Sequence, residues 1–248
     1  MNELQAQDFY KKQFKLSEDI LEISTIPLEF VEEVIEQVGR DFTSVLELGA
    51  GNGALSRGLS TFSKNITTVE LVSEMVDFAK RFNTPNVTSL CGSFYDIDIN
   101  KTFDTILYMD GFGVGFDKEQ LILLKRINNW LVDGGVALID IYNPNYWKKV
   151  SGQEMMPYPN SNISRIYGYD ESLNRMTDTW WEDNNLEKTY TQSLACYSPD
   201  EIYSLCEKAG LKIIAYYPGG AMDFENWKFN ESVPLSECLS YRIKVIKA

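Results

Sequence analysis

The stretch SVLELGAGNGALSRGLS, residues 44–60, brings together residue types that can hold a small polar ligand. An apolar run ends at Glu47 and Leu48, Gly49, Gly51 and Gly53 follow at alternate positions, and a helix-like pattern opens at Ala54. Glycines permit positive φ and let a ligand approach the backbone without meeting a Cβ. The start of a helix behind them favours negative charge. A dinucleotide suits such a turn, and Gly49-x-Gly51-x-x-Ala54 satisfies the loose G-x-G-x-x-A form of its fingerprint. Glu47 points to other chemistry. A carboxylate two residues before the first glycine opposes a pyrophosphate and suits a ligand that carries an ammonium beside its own carboxylate. S-adenosylmethionine carries both, and a sulfonium besides. Glu70 stands next to last in the run TTVEL, 17 residues beyond Gly53, where the second strand of a βαβ unit ends. An acid there can accept both ribose hydroxyls. Adenosyl and nicotinamide sites share that feature, so Glu70 marks a nucleoside and not a reaction. The bland alternatives are a solvated strand-end acid for Glu47 and an ordinary surface acid for Glu70.

The surrounding pattern must position these groups. Short apolar runs (SVLELG, ITTVEL, NVTSLC, FDTILYMD, GVALIDIY) alternate with helical patterns over 54–62, 73–82 and 117–131. Runs of that length, bounded by Gly, Asn and Asp and separated by helices, predict a parallel sheet. The fold class expected is therefore α/β: a doubly wound, mostly parallel, Rossmann-like sheet of seven strands, with ligands at the carboxyl ends of its strands. A helix is expected over 26–39, closed by Gly39. After Tyr142 the rhythm breaks, and ISRIYGYD, RMTDTWWE and LEKTYTQSLA read as an antiparallel β meander inserted after strand five, with ESLN and DNN as turns. Ser198, Pro199 and Gly210 then frame a helix as N-cap, first residue and stop. LKIIAYYP and LSYRIKVIK complete the sheet. The divisions expected are 1–42 as N-terminal helices and lid, 43–142 as ligand-binding core, 143–196 as substrate cap and 197–248 as the rest of the core sheet.

Composition removes several functions. The 248 residues carry 23 Lys and Arg against 36 Asp and Glu, a formal charge of −13, which repels phosphate backbones and anionic lipid. No nucleic acid and no membrane is expected as partner. The chain has no histidine, which excludes Ser-His-Asp and Cys-His catalysis and leaves any general base to Asp, Glu, Lys, Tyr or Cys. Its four cysteines lack a CxxC spacing, so no metal is expected. With no h-region at the N-terminus and no run near ~18 apolar residues, a cytoplasmic protein with reduced thiols is expected.

Six segments in order resemble the class I S-adenosylmethionine-dependent methyltransferases: VLELGAGNG, TVELVSEMVDFAKR, VTSLCGSFYDI, FDTILYMDGFG, WLVDGGVALIDIY and YSPDEIYSLCEKAGLKI. The resemblance covers about 43–142 and 197–246. It implies S-adenosylmethionine as cofactor, S-adenosylhomocysteine as product, and roles at matching positions. Glu47, Gly49, Ala50 and Gly51 would hold the methionine moiety, Glu70 the ribose, and Leu71 or Met75 one face of the adenine. Ser93 and Phe94 stand where the family usually has an acid beside an apolar residue at the adenine edge. Here the acid is a serine, which passes the N6 contact to the backbone or to Asp96. Met109 and Asp110 would form the floor after strand four. Tyr10 and Phe14 would close the pocket as a lid, or belong to an amphipathic docking helix.

Methyl transfer needs a nucleophile about 3 Å from the methyl and a dry site, and a hydroxyl acceptor benefits from a base. The acids and phenols near the strand ends are Asp110, Tyr108 and Tyr142. Asp110 is the catalytic assignment; a cap on the turn DGFGVG is its structural alternative. From the insert, Tyr146, Trp147, Trp180, Trp181 and Tyr190 offer aromatic walls for an apolar or cationic acceptor. Adjacent Trp180 and Trp181 cannot both face one pocket, and Trp181 is assigned with Tyr142, Tyr146, Trp147 and Arg165 to the acceptor. The function expected is methylation of nitrogen or oxygen on a small molecule. The rivals are an NAD(P)-dependent oxidoreductase and a non-catalytic adenosyl-binding partner protein.

Overall fold

A computed structural model describes residues 1–17, 26–63, 65–155, 162–183 and 189–248. Two helices, α1 (Glu3–Ser17) and α2 (Leu28–Val38), precede the alternating unit. That unit runs β1 (Ser44–Leu48), α3 (Ala54–Leu59), β2 (Asn65–Glu70), α4 (Ser73–Phe82), β3 (Val87–Cys91), β4 (Phe103–Tyr108), α5 (Asp117–Trp130) and β5 (Leu131–Tyr142). Next come α6 (Pro144–Lys149), β6 (Glu154–Met155), β7 (Ile163–Asp170), β8 (Arg175–Glu182) and β9 (Tyr190–Ala195). The chain closes with α7 (Pro199–Lys208), β10 (Leu211–Pro218), β11 (Ala221–Asp223), β12 (Lys228–Asn230) and β13 (Ser240–Lys247).

The main sheet has seven strands in the order β10-β13-β5-β4-β1-β2-β3. All neighbours from β5 to β3 pair in parallel, and β13 runs antiparallel to both β5 and β10. Burial explains the composition of the central strands. Val45, Leu46 and Leu48 of β1 are inaccessible, because helices cover both faces of a parallel sheet and leave no side for polar residues. The strand order turns back between β1 and β4, which opens a crevice at their carboxyl ends.

The insert forms a separate four-stranded antiparallel sheet, β6-β7-β8-β9. Trp147 of α6, inaccessible to solvent at 2%, anchors it by packing against Tyr142, Tyr146 and Tyr167 and donating Nε1–H to the Leu239 carbonyl at 3.2 Å. Gly113, at φ 110°, lets the turn after β4 touch β9: a Cβ there would lie 2.5 Å from the Ala195 carbonyl oxygen. Arg175 seals the same joint, its Nη2 donating to Gly113 O at 2.8 Å and to Ser193 O at 2.7 Å.

Several boundaries differ from expectation. The helix expected to reach residue 62 ends at Leu59, and α5 stops at Trp130 because Leu131 already pairs with Phe103. Of LEKTYTQSLA, β9 takes Tyr190–Ala195; Leu186, Glu187 and Lys188, with Asn184 and Asn185 of the DNN turn, lie outside the described residues. The antiparallel hairpin β11–β12 is an addition to the expected elements. Gly39 and Gly210 do end their helices, at φ 65° and 74°, and Ser198 caps α7.

Candidate active site

Two chambers meet at the carboxyl edge of the sheet. The first, about 260 Å³, is lined by Gly49 and Gly51 after β1, Glu70 and Leu71 at the end of β2, Met75 of α4, Phe94, the segment from Tyr108 to Gly111, and Ala6, Tyr10 and Gln13 of α1. The glycine turn is held from below, where the Gly49 and Ala50 amides donate to the Val69 carbonyl at 2.8 and 3.2 Å. Gly51 stands at φ 54°, and a Cβ built on it would meet no atom within 4 Å. A side chain would therefore occupy the chamber itself.

Glu70 is buried on the chamber wall. Each of its oxygens accepts a backbone N–H, Oε2 from Gly51 at 2.9 Å and Oε1 from Val72 at 2.8 Å. Burial pushes its pKa up, and the two amides pull the other way. The result is a fixed carboxylate with lone pairs still available to a diol.

Glu47 does not line the chamber, contrary to its assignment. Strand β1 is enclosed on both faces, so this side chain, 5% exposed, is packed beneath the turn, where it accepts a hydrogen bond from the Ser56 hydroxyl. Burial raises its pKa to about 7 against the pull of Ser56. Ala50 is likewise buried outside the lining. Ser93 faces away as well, its Oγ accepting from Tyr95 N at 3.2 Å, and the neighbouring Phe94 forms the wall. Asp96 does not line the chamber either.

Helix α1 covers the opening. Gln7 Nε2 donates to the Leu71 carbonyl at 3.3 Å, Lys11 pairs with Glu74, and the Tyr10 hydroxyl donates to Gln192 Oε1 at 3.2 Å. Phe14 packs on Phe78 with ring centroids 5.7 Å apart and takes no part in the lining.

The second chamber, about 340 Å³, lies between the sheet edge and the meander. Tyr142, Trp147, Arg165, Tyr167, Met176, Trp180, Gln192 and Leu239 line it, and Gln13 and Asp110 line both chambers. Of the two adjacent tryptophans, Trp180 faces the chamber and Trp181 does not, which corrects the assignment of Trp181. Tyr146 is corrected too: it lines a different cavity beside the β11–β12 hairpin, and its hydroxyl accepts from Met222 N at 3.3 Å.

The residues missed carry a signal in retrospect. Gln13 lies three positions after Tyr10 on one helix face. Tyr167 lies two after Arg165, and Met176, Asp178 and Trp180 alternate on β8. Pairing then brings Arg165 opposite Trp180, Tyr167 opposite Asp178, and Asp178 opposite Gln192. Only the register, which the sequence does not print, makes these a group.

Asp110 sits where the chambers join. Its backbone is left-handed at φ 54°, a conformation that Asp tolerates better than most residues. The amide donates to Asp140 Oδ2 at 3.3 Å, and Asp140 is clamped by Arg242 through Nε at 2.7 Å and Nη2 at 3.2 Å. The Tyr142 hydroxyl donates to Asp110 Oδ1. Asp110 lines both chambers, and desolvation of its carboxyl raises its pKa to about 6, while Tyr142 pulls it down.

Residues 45–135 match the family model of a methyltransferase domain. The chain carries a methyltransferase domain. Among curated relatives, nodulation protein S of Azorhizobium caulinodans is 33% identical over 84 residues, 34% of this chain and 41% of that protein. The cypemycin N-terminal methyltransferase of a Streptomyces species is 27% identical over 123 residues, 48% of this chain and 50% of the relative. The matches thus span half or less of these relatives. An S-adenosylmethionine-dependent methyltransferase from Clostridium acetobutylicum superposes with a TM-score of 0.72 at 17% identity, covering 96% of this chain and 98% of that one. The matched span holds the first chamber's lining apart from Ala6, Tyr10 and Gln13 of α1, and the likeness in fold extends over the meander. No helix among the described residues is long and apolar enough to cross a membrane, and no cluster of potential metal ligands occurs among them.

Proposed function

We propose that this protein transfers a methyl group from S-adenosylmethionine to nitrogen or oxygen of a small-molecule acceptor. The observation that carries the reading is the pair of chambers joined at Asp110 and Gln13, one walled by backbone and strand-end groups, the other by aromatic side chains. The first chamber suits the cofactor. The bare Gly51 position leaves room, Glu70 offers oriented oxygens to a ribose, and Leu71, Met75 and Phe94 give apolar faces for an adenine. Glu47 beneath the turn is a buried carboxylate with no cation bound to it among the described residues, and a nearby ammonium would favour its charged form.

When bound, the cofactor would supply a methyl carried on its sulfonium sulfur, with a neutral thioether as a good leaving group. The residues of this chain do the rest. Trp147, Tyr167 and Trp180 exclude water and confine the acceptor. Asp110 holds a proton released by the acceptor on Oδ2, and Tyr142 stabilises the charge on Oδ1 beforehand. Helix α1, through Tyr10 and Gln13, closes the chambers as a lid. The divisions 1–42, 43–142, 143–196 and 197–248 then correspond to lid, core, acceptor cap and sheet completion, in a protein whose charge disfavours nucleic acid.

Calorimetry with S-adenosylhomocysteine and with NADH tests the cofactor. Saturable binding of the first and none of the second is expected; the opposite result overturns the reading in favour of an oxidoreductase. Incubation with methyl-labelled S-adenosylmethionine and an extract of the source cells then identifies the acceptor by the label it gains.

A further inference from the structure

The second chamber has two charged residues in its lining, Asp110 and Arg165. Arg165 is already engaged. Its Nε donates to Asp178 Oδ1 at 2.9 Å, its Nη2 donates to Oδ2, and its guanidinium lies over the rings of Tyr167 and Trp180 at 4.7 and 4.8 Å. Asp178 is wholly inaccessible and also accepts Trp180 Nε1–H at 2.8 Å and Gln192 Nε2–H at 3.1 Å. The ion pair is therefore neutral as a unit and fixed by four donors. An anionic acceptor would have to compete with a buried carboxylate for Arg165, which is a costly exchange.

Asp110 has no such counter-charge. The groups facing it are the Tyr142 hydroxyl, which is neutral, the Asp140 carboxylate, already paired with Arg242, and the neutral pair Arg165–Asp178 beyond. Among the described residues no Lys or Arg forms an ion pair with Asp110. The chamber thus holds one uncompensated negative charge within aromatic walls, and Trp147 and Tyr142 remain without a cation over their rings among the described residues.

We infer that the acceptor is a small amine that arrives as an ammonium, anchored by the Asp110 carboxylate with its apolar body against Trp147 and Tyr142. This rests on the reading of the second chamber as the acceptor site. An ammonium satisfies the carboxylate and an aromatic face at once, which neither an alcohol nor a carboxylic acid does.

The test uses the full chain saturated with S-adenosylhomocysteine, and benzylamine, benzyl alcohol and benzoate as matched probes. Binding is read by titration calorimetry and by the fluorescence of the tryptophans in the wall. At pH 7.5 benzylamine should bind about tenfold or more tighter than benzyl alcohol, the scale of one charge-assisted hydrogen bond, and benzoate more weakly than either. Asp110→Asn keeps a residue type that tolerates the left-handed backbone, and its fold is checked by circular dichroism. In that variant, kept saturated with S-adenosylhomocysteine, the amine should lose its advantage over the alcohol. Amine affinity of the wild type should also fall as pH drops through about 6, where Asp110 takes up its proton. Equal binding of the alcohol or benzoate, no saturable binding of the amine, or an Asp110→Asn variant that keeps the amine preference overturns the inference. So does an Asp110→Asn variant that loses only cofactor affinity. Failure of wild type to bind S-adenosylhomocysteine overturns the cofactor reading instead.

Discussion

The two chambers share Asp110 and Gln13, yet they are made of different material. The polar groups of the first are set by backbone: a glycine turn, and a carboxylate whose two oxygens are held by the Gly51 and Val72 amides. The second is a side-chain construction, in which Asp178 gathers Arg165, Trp180 and Gln192 from three strands of the meander. Backbone sites follow from contiguous chain and tolerate little change at a few positions. Side-chain sites follow from register and depend on hubs. Damage to one chamber should therefore leave the other working.

The largest effect is expected at Glu70. Glu70→Ala removes the acceptor of two amides and the group proposed to hold the ribose, and should weaken S-adenosylhomocysteine by about a hundredfold, measured by calorimetry. Wild-type affinity in that variant would remove Glu70 from the site. Asp178→Ala makes the opposite cut. It strands the Arg165 guanidinium, whose side chain is 19% exposed, and should cost about 3 kcal/mol in urea unfolding with cofactor affinity kept within about twofold. Collapse of cofactor binding in the folded variant would show that the chambers are one unit.

Tyr142→Phe acts at the join. Tyr142 donates to Asp110 and pulls down a pKa that burial has raised to about 6. Without that donor the carboxyl protonates at higher pH, so the acid limb of the turnover profile should move upward, with a loss of about three- to tenfold at pH 6 and little change at pH 8. An unmoved limb would separate Asp110 from the proton.

The smallest effect concerns Glu47. A carboxyl raised to about 7 in the fold keeps a proton that the unfolded chain has already lost, so ligand-free stability should fall as pH climbs from the ordinary carboxylate range to about 7. An ammonium held over the turn favours the charged form. Cofactor binding near pH 6.5 should therefore release up to about one proton, seen as a dependence of the calorimetric heat on buffer ionisation. Glu47→Gln should abolish the release; if it persists there, another group supplies the proton.

Much of the first chamber was legible in the sequence, because its parts lie at short spacings within 44–75 and depend on periodicity and glycine geometry. Gly49, Gly51, Glu70, Leu71 and Met75 all line it. Glu47 shows where that reading stopped. Type and position were informative, but which way a residue of a doubly covered strand packs is decided by α3, which offers Ser56. The second chamber was legible only as a supply of aromatics. Choosing Trp181 over Trp180, and Tyr146 for the wall, failed because the face of a strand or a short helix is set by what it packs against.

The sequence by itself determined the alternation of strand and helix, the glycine turn, the acid that closes β2 and the aromatic character of the insert. Each follows from local sterics or from hydrophobic periodicity, which act over a few residues. Tertiary structure decided that Asp110 stands between two cavities, that Arg165 is consumed by Asp178, and that Asp110 has no ion-pair partner among the described residues. Charge compensation depends on distances between residues far apart in the chain, and only the folded register fixes those distances.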